Sequence, residues 1–462
     1  MDLAGKQVTV MGLGRFGGGV GVARFLLDQG ARVVVTDLDT AANLAASADA
    51  VGPQATYHLG GHRREDFTDA DLVVVNPAVR PTSEYLRLAR DAGVPVTTEI
   101  NLFFERCPAR IVGVTGSVGK TTTVSMLGRA LEAGSERRVW LGGNIGGSLL
   151  GKLSRMAQDD LAVLELSSAQ LHRLAPAGQA PDVSVVTNLA ENHIDWHGSM
   201  AQYAAAKRRI VAEQSAESVA VLNHEDPAVR AWAADAPGRV VFFSAAGELP
   251  EGVCRCGANL VWRSAGAEMT LLDTAGMAVP GEHNAANAAA ALAACAALGA
   301  DLERAGAALA TFEGAEHRLQ FVRAVGGVRF YNDSKGTTPA AALAAVRSFD
   351  RPIVLILGGR DKGVRYEELA AETARCRAVV LTGEMAGRLA ALIGDRAPAV
   401  RQERAARFED AVRAAGRLAA PGDVVLLSPA CTSYDQFRNF EERGRCFIDV
   451  VNALGPGDVG AR

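Results

Sequence analysis

From residue 7 onward, short runs of β-branched residues alternate with stretches whose apolar positions recur every three or four residues. QVTVMGLG, RVVVTD and DLVVVNPAV read as strands, and VARFLLDQG and SEYLRLARDAG as helices closed by glycine. This series ends near VPVTTEI, around residue 100. A second series places strands at RIVGVTG, VWLGGNIG, LAVLELSS, VSVVTNL and SVAVLNH, with helices at KTTTVSMLGRALEAG, MAQYAAAKRRIVAEQ and the alanine-rich HNAANAAAALAACAALG. Over residues ~237–280, VVFFS, NLVWRS and MTLLDTAG predict smaller antiparallel strands. A third series opens near residue 320 with strands VRFYNDS, PIVLILGG, AVVLTG and VVLLSPA, and helices AALAAVRSF, YEELAAETARC and FEDAVRAAGRLAA. The glycine-rich tail GPGDVGAR reads as disordered. Strands alternating with helices in this way predict three α/β domains, two of them Rossmann-like.

Composition narrows the function. A length of 462 residues agrees with roughly three domains. The formal net charge of −4 supplies no basic field, which argues against a nucleic-acid partner. No apolar stretch approaches a membrane span and the start lacks a secretory pattern, so a cytoplasmic chain without membrane insertion is expected. The seven cysteines are scattered and odd in number, against a disulfide framework. Cys254 and Cys256 read as surface-strand residues rather than a zinc site, and Cys431 as a small buried residue. Of 48 basic residues only six are lysine: Lys6, Lys120, Lys152, Lys207, Lys335 and Lys362. Where arginine serves for generic charge, the lysines are candidates for tasks a planar guanidinium cannot perform.

Two glycine loops carry the candidate chemistry. Gly12-Leu13-Gly14-Arg15-Phe16-Gly17 fits G-x-G-x-x-G between a strand and a helix, and Asp37 ends the next strand. That context fits a nicotinamide dehydrogenase, a tight βα turn, or a loop holding another nucleotide's diphosphate at a helix N-terminus. The second loop, TGSVGKTT, supplies Gly116, Gly119, Lys120 and Thr121 in a shortened phosphate-loop form. Its glycines let backbone N–H groups point at phosphate, Lys120 adds charge, and Thr121 offers a hydroxyl to Mg²⁺. Glu165 ends the apolar strand LAVLE, where an unpaired carboxylate is costly, so it is a candidate metal ligand. The following TNLAENHIDWHG sets Asn188, His193, Asp195 and His197 in a polar turn, and Lys207 stands on the next helix.

Taken in order, TGSVGKTT, GGNIG, LELSSAQL, TNLAENHIDWHGSMAQYAAAKRRI, GEHNAANAAAALA, EHRLQFV, NDSKGTTPAA, LGGRDKG and LSPACTSYDQFRNFEERGRCF resemble the Mur ligase family of peptidoglycan assembly over nearly the whole chain. The last segment, NDSKGTTPAA and NPAVRPTSEYL most resemble the member that adds D-glutamate to UDP-N-acetylmuramoyl-L-alanine. The resemblance implies a Rossmann-like UDP-substrate domain over 1–100, a P-loop ATPase-like α/β domain over 101–314 and a Rossmann-like amino-acid domain over 315–462. It implies ATP-dependent peptide ligation through an acyl phosphate, by a cytoplasmic enzyme acting as a monomer.

The residue roles follow from the same resemblance. Gly116, Ser117, Gly119, Lys120, Thr121 and Thr122 would hold ATP phosphates, Asn284 and Asn287 the adenine side, and Arg318 and Asp333 the ribose and phosphates. Thr121 and Glu165 would hold one Mg²⁺, and His193 a second with Lys207 as a carbamate formed from CO₂. Gly14, Arg15, Phe16, Asp37, Asn144 and His193 would face the UDP substrate; Phe16 stands where the family commonly has a small hydroxyl residue, and would either stack on uracil or mark a different sugar-nucleotide handle. Lys335 would reach the acyl phosphate or incoming substrate, and Thr337, Lys362, Ser433 and Phe440 the D-glutamate carboxylates. A related ligase with another acceptor or amino acid, such as another Mur ligase or a folylpolyglutamate-type enzyme, shares much of this pattern. A nucleotide switch or oxidoreductase has no use for Lys207, His193 and SPACTSYDQF.

Overall fold

The structure is a computed structural model that describes residues 2–14, 17–145, 147–175, 180–314, 316–361 and 363–460. The expectations for Arg15, Phe16 and Lys362 lie outside the described residues. The chain forms two compact units, Met1–Leu272 with Ala286–Ala308, and Asp273–Ala285 with Leu309–Arg462.

The first unit carries two sheets. Five parallel strands, β1 (Gln7–Met11), β2 (Arg32–Asp37), β3 (Thr56–Leu59), β4 (Leu72–Val75) and β5 (Val96–Thr97), stand in the order β3-β2-β1-β4-β5. Helices α1 (Gly18–Asp28), α2 (Ala41–Val51), α3 (Glu65–Thr68) and α4 (Glu84–Asp91) connect them, and α5 (Glu99–Arg106) leads to the next sheet. All four residues of β4, LVVV, are buried, as expected of a parallel strand covered on both faces. Strand order reverses on either side of β1, so its C-terminal end opens a crevice.

The second sheet has nine strands, in the order β14-β13-β12-β11-β10-β9-β6-β8-β7. They are β6 (Arg110–Thr115), β7 (Val139–Gly143), β8 (Leu161–Glu165), β9 (Val183–Val186), β10 (Val219–Asn223), β11 (Arg239–Phe243), β12 (Gly252–Cys256), β13 (Asn259–Ser264) and β14 (Ala267–Asp273). Its helices include α6 (Lys120–Gly134), α7 (Ser168–His172), α8 (Ile194–His197), α9 (Met200–Ala212), α10 (Pro227–Ala231), α11 (Glu282–Leu298) and α12 (Leu302–Ala310). One apolar cluster runs from Val8, Phe25 and Leu26 through Ile100 and Phe103 to Leu164, Ile210 and Leu222, joining the two sheets of this unit.

The second unit holds six strands in the order β15-β16-β20-β17-β18-β19. These are β15 (Gln320–Val325), β16 (Val328–Asn332), β17 (Ile353–Gly358), β18 (Cys376–Thr382), β19 (Arg401–Arg404) and β20 (Val424–Ala430). Helices α13 (Pro339–Arg347), α14 (Glu367–Glu372), α15 (Ala386–Arg396), α16 (Phe408–Leu418) and α17 (Phe440–Ala453) cover it. Only the β15–β16 pair is antiparallel among the registered pairs.

Three expectations need correction. β11 runs parallel to β10 and β12 parallel to β11, so these strands extend the large sheet; the antiparallel turn comes only between β12 and β13. The apolar run VVFFS marks a strand but carries no information on partner direction. Cys254 is fully buried, packed with Leu249 and Val261, rather than on the surface. The tail is ordered through Gly460: Pro456–Asp458 forms a 3₁₀ turn, Val459 is buried, and Gly460 N–H donates to Gly416 O. No described helix is long and apolar enough to cross a membrane.

Candidate active site

The phosphate loop leaves β6, an inner strand of the large sheet flanked by β8 and β9. Two glycines are sterically required. A Cβ on Gly116 (φ 152°) would lie 1.9 Å from Thr187 Oγ1, and one on Gly119 (φ 89°) would lie 2.4 Å from Asn287 Oδ1. The loop is laced to the segment leaving β9. Ser117 N–H donates to Asn188 O (3.0 Å), Val118 N–H to Asn188 Oδ1 (2.9 Å), and Asn188 Nδ2 returns a bond to Val118 O (3.0 Å). Thr187 Oγ1 donates to Val118 O at 2.7 Å, while Ser117 Oγ meets Ala190 O and Tyr203 Oη. α6 starts at Lys120, so its N-terminal N–H dipoles face the loop. Lys120 Nζ donates to Gly116 O (2.8 Å) and Ser117 O (3.2 Å). Thr122, on the first turn, is buried.

Glu165 ends β8 beside the loop and is 3% exposed. Its Oε2 accepts from Thr121 Oγ1 (2.7 Å) and its Oε1 from Asn144 Nδ2 (3.0 Å), Asn144 having left the neighbouring strand β7. Ser167 and Gln170 form a capping box that starts α7 directly after it.

Lys207 explains itself through helix period. On α9 the buried positions are Tyr203, Ala206, Lys207, Ile210 and Val211, so the lysine lies on the apolar face. It is 1% exposed, and Nζ donates to Thr115 Oγ1 (3.2 Å) and to Gly116 O (2.8 Å), the carbonyl that Lys120 also uses. Burial, reinforced by the Lys120 charge, pushes its amine well below the usual lysine range. His193 occupies the left-handed region (φ 52°) as the N-cap of α8. Partial enclosure, then the Lys120 charge, holds its imidazole below the usual range.

In the first sheet, Gly14 N–H donates to Asp37 Oδ2 (3.1 Å), and Asp37 Oδ1 accepts from Asp39 N–H (2.9 Å). Asn76, after β4, donates to Gly12 O, so the ends of β1, β2 and β4 meet around the first glycine loop. The loop bearing Asn144 approaches the same place, because a Cβ on Gly21 of α1 would meet Ser148 Cβ at 2.3 Å.

The second unit gathers the remaining positions at the ends of β16 and β20. Asp333 is buried and accepts from Ser428 Oγ (2.6 Å) and Leu319 N–H (3.2 Å); burial raises its pKa to about 6. Lys335 Nζ stands 5.9 Å above the Phe440 ring, and Thr337 follows it in the same turn, its N–H donating to Lys335 O. Ser433 is buried on the loop after β20, and Arg318 precedes β15, half-buried. Asn284, also in this unit, spends its amide on Pro280 O (2.8 Å), whereas Asn287 in the first unit accepts from Thr123 Oγ1 (3.2 Å).

Sequence reading missed the braces. Arg443 is 2% exposed and binds Ser334 O and Oγ and Cys431 O, tying the loop of Lys335 to the loop of Ser433. Burial, only partly offset by the charges of Asp435 and Asp333, lowers its pKa to about 10. Thr187, Asn188 and Tyr203 brace the phosphate loop in the same manner. Their segments were conspicuous in sequence, but nothing local reveals which distant backbone a side chain will hold.

Three family descriptions match in order: "Mur ligase MurD-like, N-terminal domain" over residues 6–98, "Mur ligase middle domain" over 114–295, and "Mur ligase, glutamate ligase domain" over 317–431. The chain belongs to the Mur ligase family. Mur ligases are ATP-dependent, which accords with a phosphate loop on an inner strand of the large sheet. The chain is 43% identical to the UDP-N-acetylmuramoylalanine--D-glutamate ligase of Roseiflexus sp. (strain RS-1), covering 98% of this chain and 100% of that one. It is 41% identical to the protein of the same name from Pelotomaculum thermopropionicum, covering 99% of each. Among solved structures, the UDP-N-acetylmuramate-alanine ligase MurC from Thermotoga maritima aligns with a TM-score of 0.60 at 18% identity, covering 97% of this chain and 99% of that one. A MurF from Acinetobacter baumannii also gives 0.60, at 17% identity, covering 96% and 93%. These two show the shared Mur ligase fold.

Proposed function

We propose that this Mur ligase joins D-glutamate to UDP-N-acetylmuramoyl-L-alanine at the expense of ATP, as its relatives of that name do. The observation that carries the reading is the convergence of Lys120, Thr121, Glu165, Asn144 and Lys207 around one phosphate loop. Lys120 places its ammonium where the β- and γ-phosphates of ATP would lie, and Gly116, Ser117, Gly119 and Thr122 frame the rest. Gly14 and Asp37 orient the UDP end of the acceptor, with Asn144 and His193 toward its reacting end.

The alanyl carboxylate attacks the γ-phosphorus, forming a C–O–P linkage as the bond to ADP breaks. The amine of D-glutamate then attacks the carbonyl carbon, and the tetrahedral intermediate collapses to amide and inorganic phosphate. Positioning and charge stabilisation supply most of such catalysis. In the second unit, Arg318 and Asp333 serve ATP, Lys335 the acyl phosphate, and Thr337, Ser433 and Phe440 the amino-acid carboxylates.

Thr121 Oγ1 and Glu165 Oε2, 2.7 Å apart and both oxygen donors, fit a magnesium site that substrate phosphates and water complete. The described residues contain no cluster of three or more His, Cys, Asp or Glu with metal-ligand spacing, which is consistent with an ion held largely by substrate. When bound, magnesium neutralises charge on the phosphate oxygens. His193 and a carbamylated Lys207 would hold a second ion; burial shifts the Lys207 amine toward its neutral form, the form that reacts with CO₂, and the carbamate would supply the oxygens magnesium needs. The enzyme acts as a monomer in the cytoplasm on small molecules.

The test is phosphate release from ATP and magnesium with UDP-N-acetylmuramoyl-L-alanine, comparing D-glutamate, L-glutamate, L-lysine, meso-diaminopimelate and no amino acid. Release with D-glutamate alone supports the proposal. Release with another amino acid, or with a folate acceptor instead, assigns a different member of the ligase group.

A further inference from the structure

A cavity of about 280 Å³, with no residue of the phosphate loop in its described lining, lies in the first unit between α4, β5 and α5 on one side and the end of α7 on the other. Its wall includes Arg90, Arg173, His172, Thr97, Thr98 and Asn101, and among the described residues no carboxylate lines it. Arg173 gives Nη2 to Val79 O (2.6 Å) and rests on the Trp196 ring, with Cζ 5.5 Å from its centroid. Its Nη1 is buried and has no hydrogen-bond partner among the described residues. Arg90 uses Nε on Leu86 O (3.2 Å) and forms no ion pair among the described residues. Partial enclosure, then the positive charges of Arg173 and Arg209, holds the imidazole of His172, an exposed residue, below the usual range. Asn101 fixes the wall, giving Nδ2 to Arg173 O (2.8 Å) and accepting Ala175 N–H (3.1 Å).

A buried guanidinium N–H left unmade is costly, and a concave site lined by two guanidiniums and an imidazole without a counter-charge attracts an acceptor. We propose that this cavity is an oxyanion site, separate from the ATP and acceptor sites, for a small phosphate- or carboxylate-bearing molecule. Arg173 and Arg90 supply forked donors to the anion, and Thr97 and Thr98 supply hydroxyls. Because Arg173 also holds Val79 of the loop after β4, an occupant braces the contact between α4 and the end of α7.

The experiment is calorimetry on the full chain with its phosphate loop saturated by magnesium and a non-hydrolysable ATP analogue. Inorganic phosphate and succinate are titrated separately, which distinguishes phosphate from carboxylate recognition. Binding of either at one equivalent is expected, weakened about tenfold by Arg90→Gln and by Arg173→Gln. Arg90 is exposed, so its variant keeps the test valid if Arg173→Gln fails to fold. Silence with both anions, or affinity unchanged in Arg90→Gln, overturns the proposal; so does loss of binding in Lys120→Ala, which would place the anion on the phosphate loop. None of these outcomes depends on which amino acid the enzyme adds.

Discussion

Gly116→Ala tests the shape of the phosphate loop. The added Cβ would sit 1.9 Å from Thr187 Oγ1 and 3.1 Å from Thr187 Cβ, whereas ordinary contact begins near 3.4 Å. Thr187 is 4% exposed, so its hydroxyl must give up its bonds to Val118 O (2.7 Å) and Thr115 O (3.3 Å) to make room. Those bonds together are worth about 1–3 kcal/mol. A side chain at φ 152° adds strain of roughly 1–3 kcal/mol. The sum, about 2–6 kcal/mol, falls on the loop that must meet the phosphates. Even its lower end raises the Michaelis constant for ATP about 30-fold.

Steady-state phosphate release at varied ATP measures this, with thermal unfolding to separate global damage. Thr187→Ala alone should cost ATP affinity a few-fold. Combined with Gly116→Ala it should recover much of the loss, because the hydroxyl in the way is gone. An unchanged Michaelis constant in Gly116→Ala refutes the clash. Strict additivity in the double variant refutes Thr187 as its cause.

Lys207→Ala should lose ligase activity and regain part of it with formate or acetate in the carbamate's place; full activity without them removes that role. Asp37→Ala should raise the Michaelis constant for the UDP substrate at least several-fold with little change in kcat, and an unchanged constant would show that the uridine end binds elsewhere. Asp333, with its folded pKa raised to about 6, keeps its proton in the folded state between roughly pH 4 and 6 while the unfolded chain loses it. Its contribution therefore falls as pH rises through that window, by up to roughly 3 kcal/mol. Urea unfolding at pH 4.5 and 7 should show a smaller pH dependence for Asp333→Asn than for the parent, and equal slopes would contradict the assignment.

Most strands of the three sheets were legible because β-branched runs bounded by glycine and polar turns are local signals, whereas the short or polar β3, β12, β15 and β19 were not read. So was the phosphate loop, whose glycines and lysine lie within a few residues. Lys207 stood out by the scarcity of lysine, but only the packing of α9 shows that its amine is buried under Gly116 O. Strand order was not legible. Glu165 meets Asn144 because β7 pairs with β8, and Asn188 holds Val118 because β9 lies beside β6. The same limit explains β11, whose apolar run was visible while its parallel partner was not.

Arg443 and Thr187 mark the division most clearly. Their chemistry is ordinary in sequence, and they act through carbonyls contributed by distant segments. Periodicity along the chain determines which residues share a face, and motif spacing determines which groups one loop can present. Which loops meet, and which buried donor finds an acceptor, is decided only when strands far apart in sequence pair, because those contacts exist in no single segment.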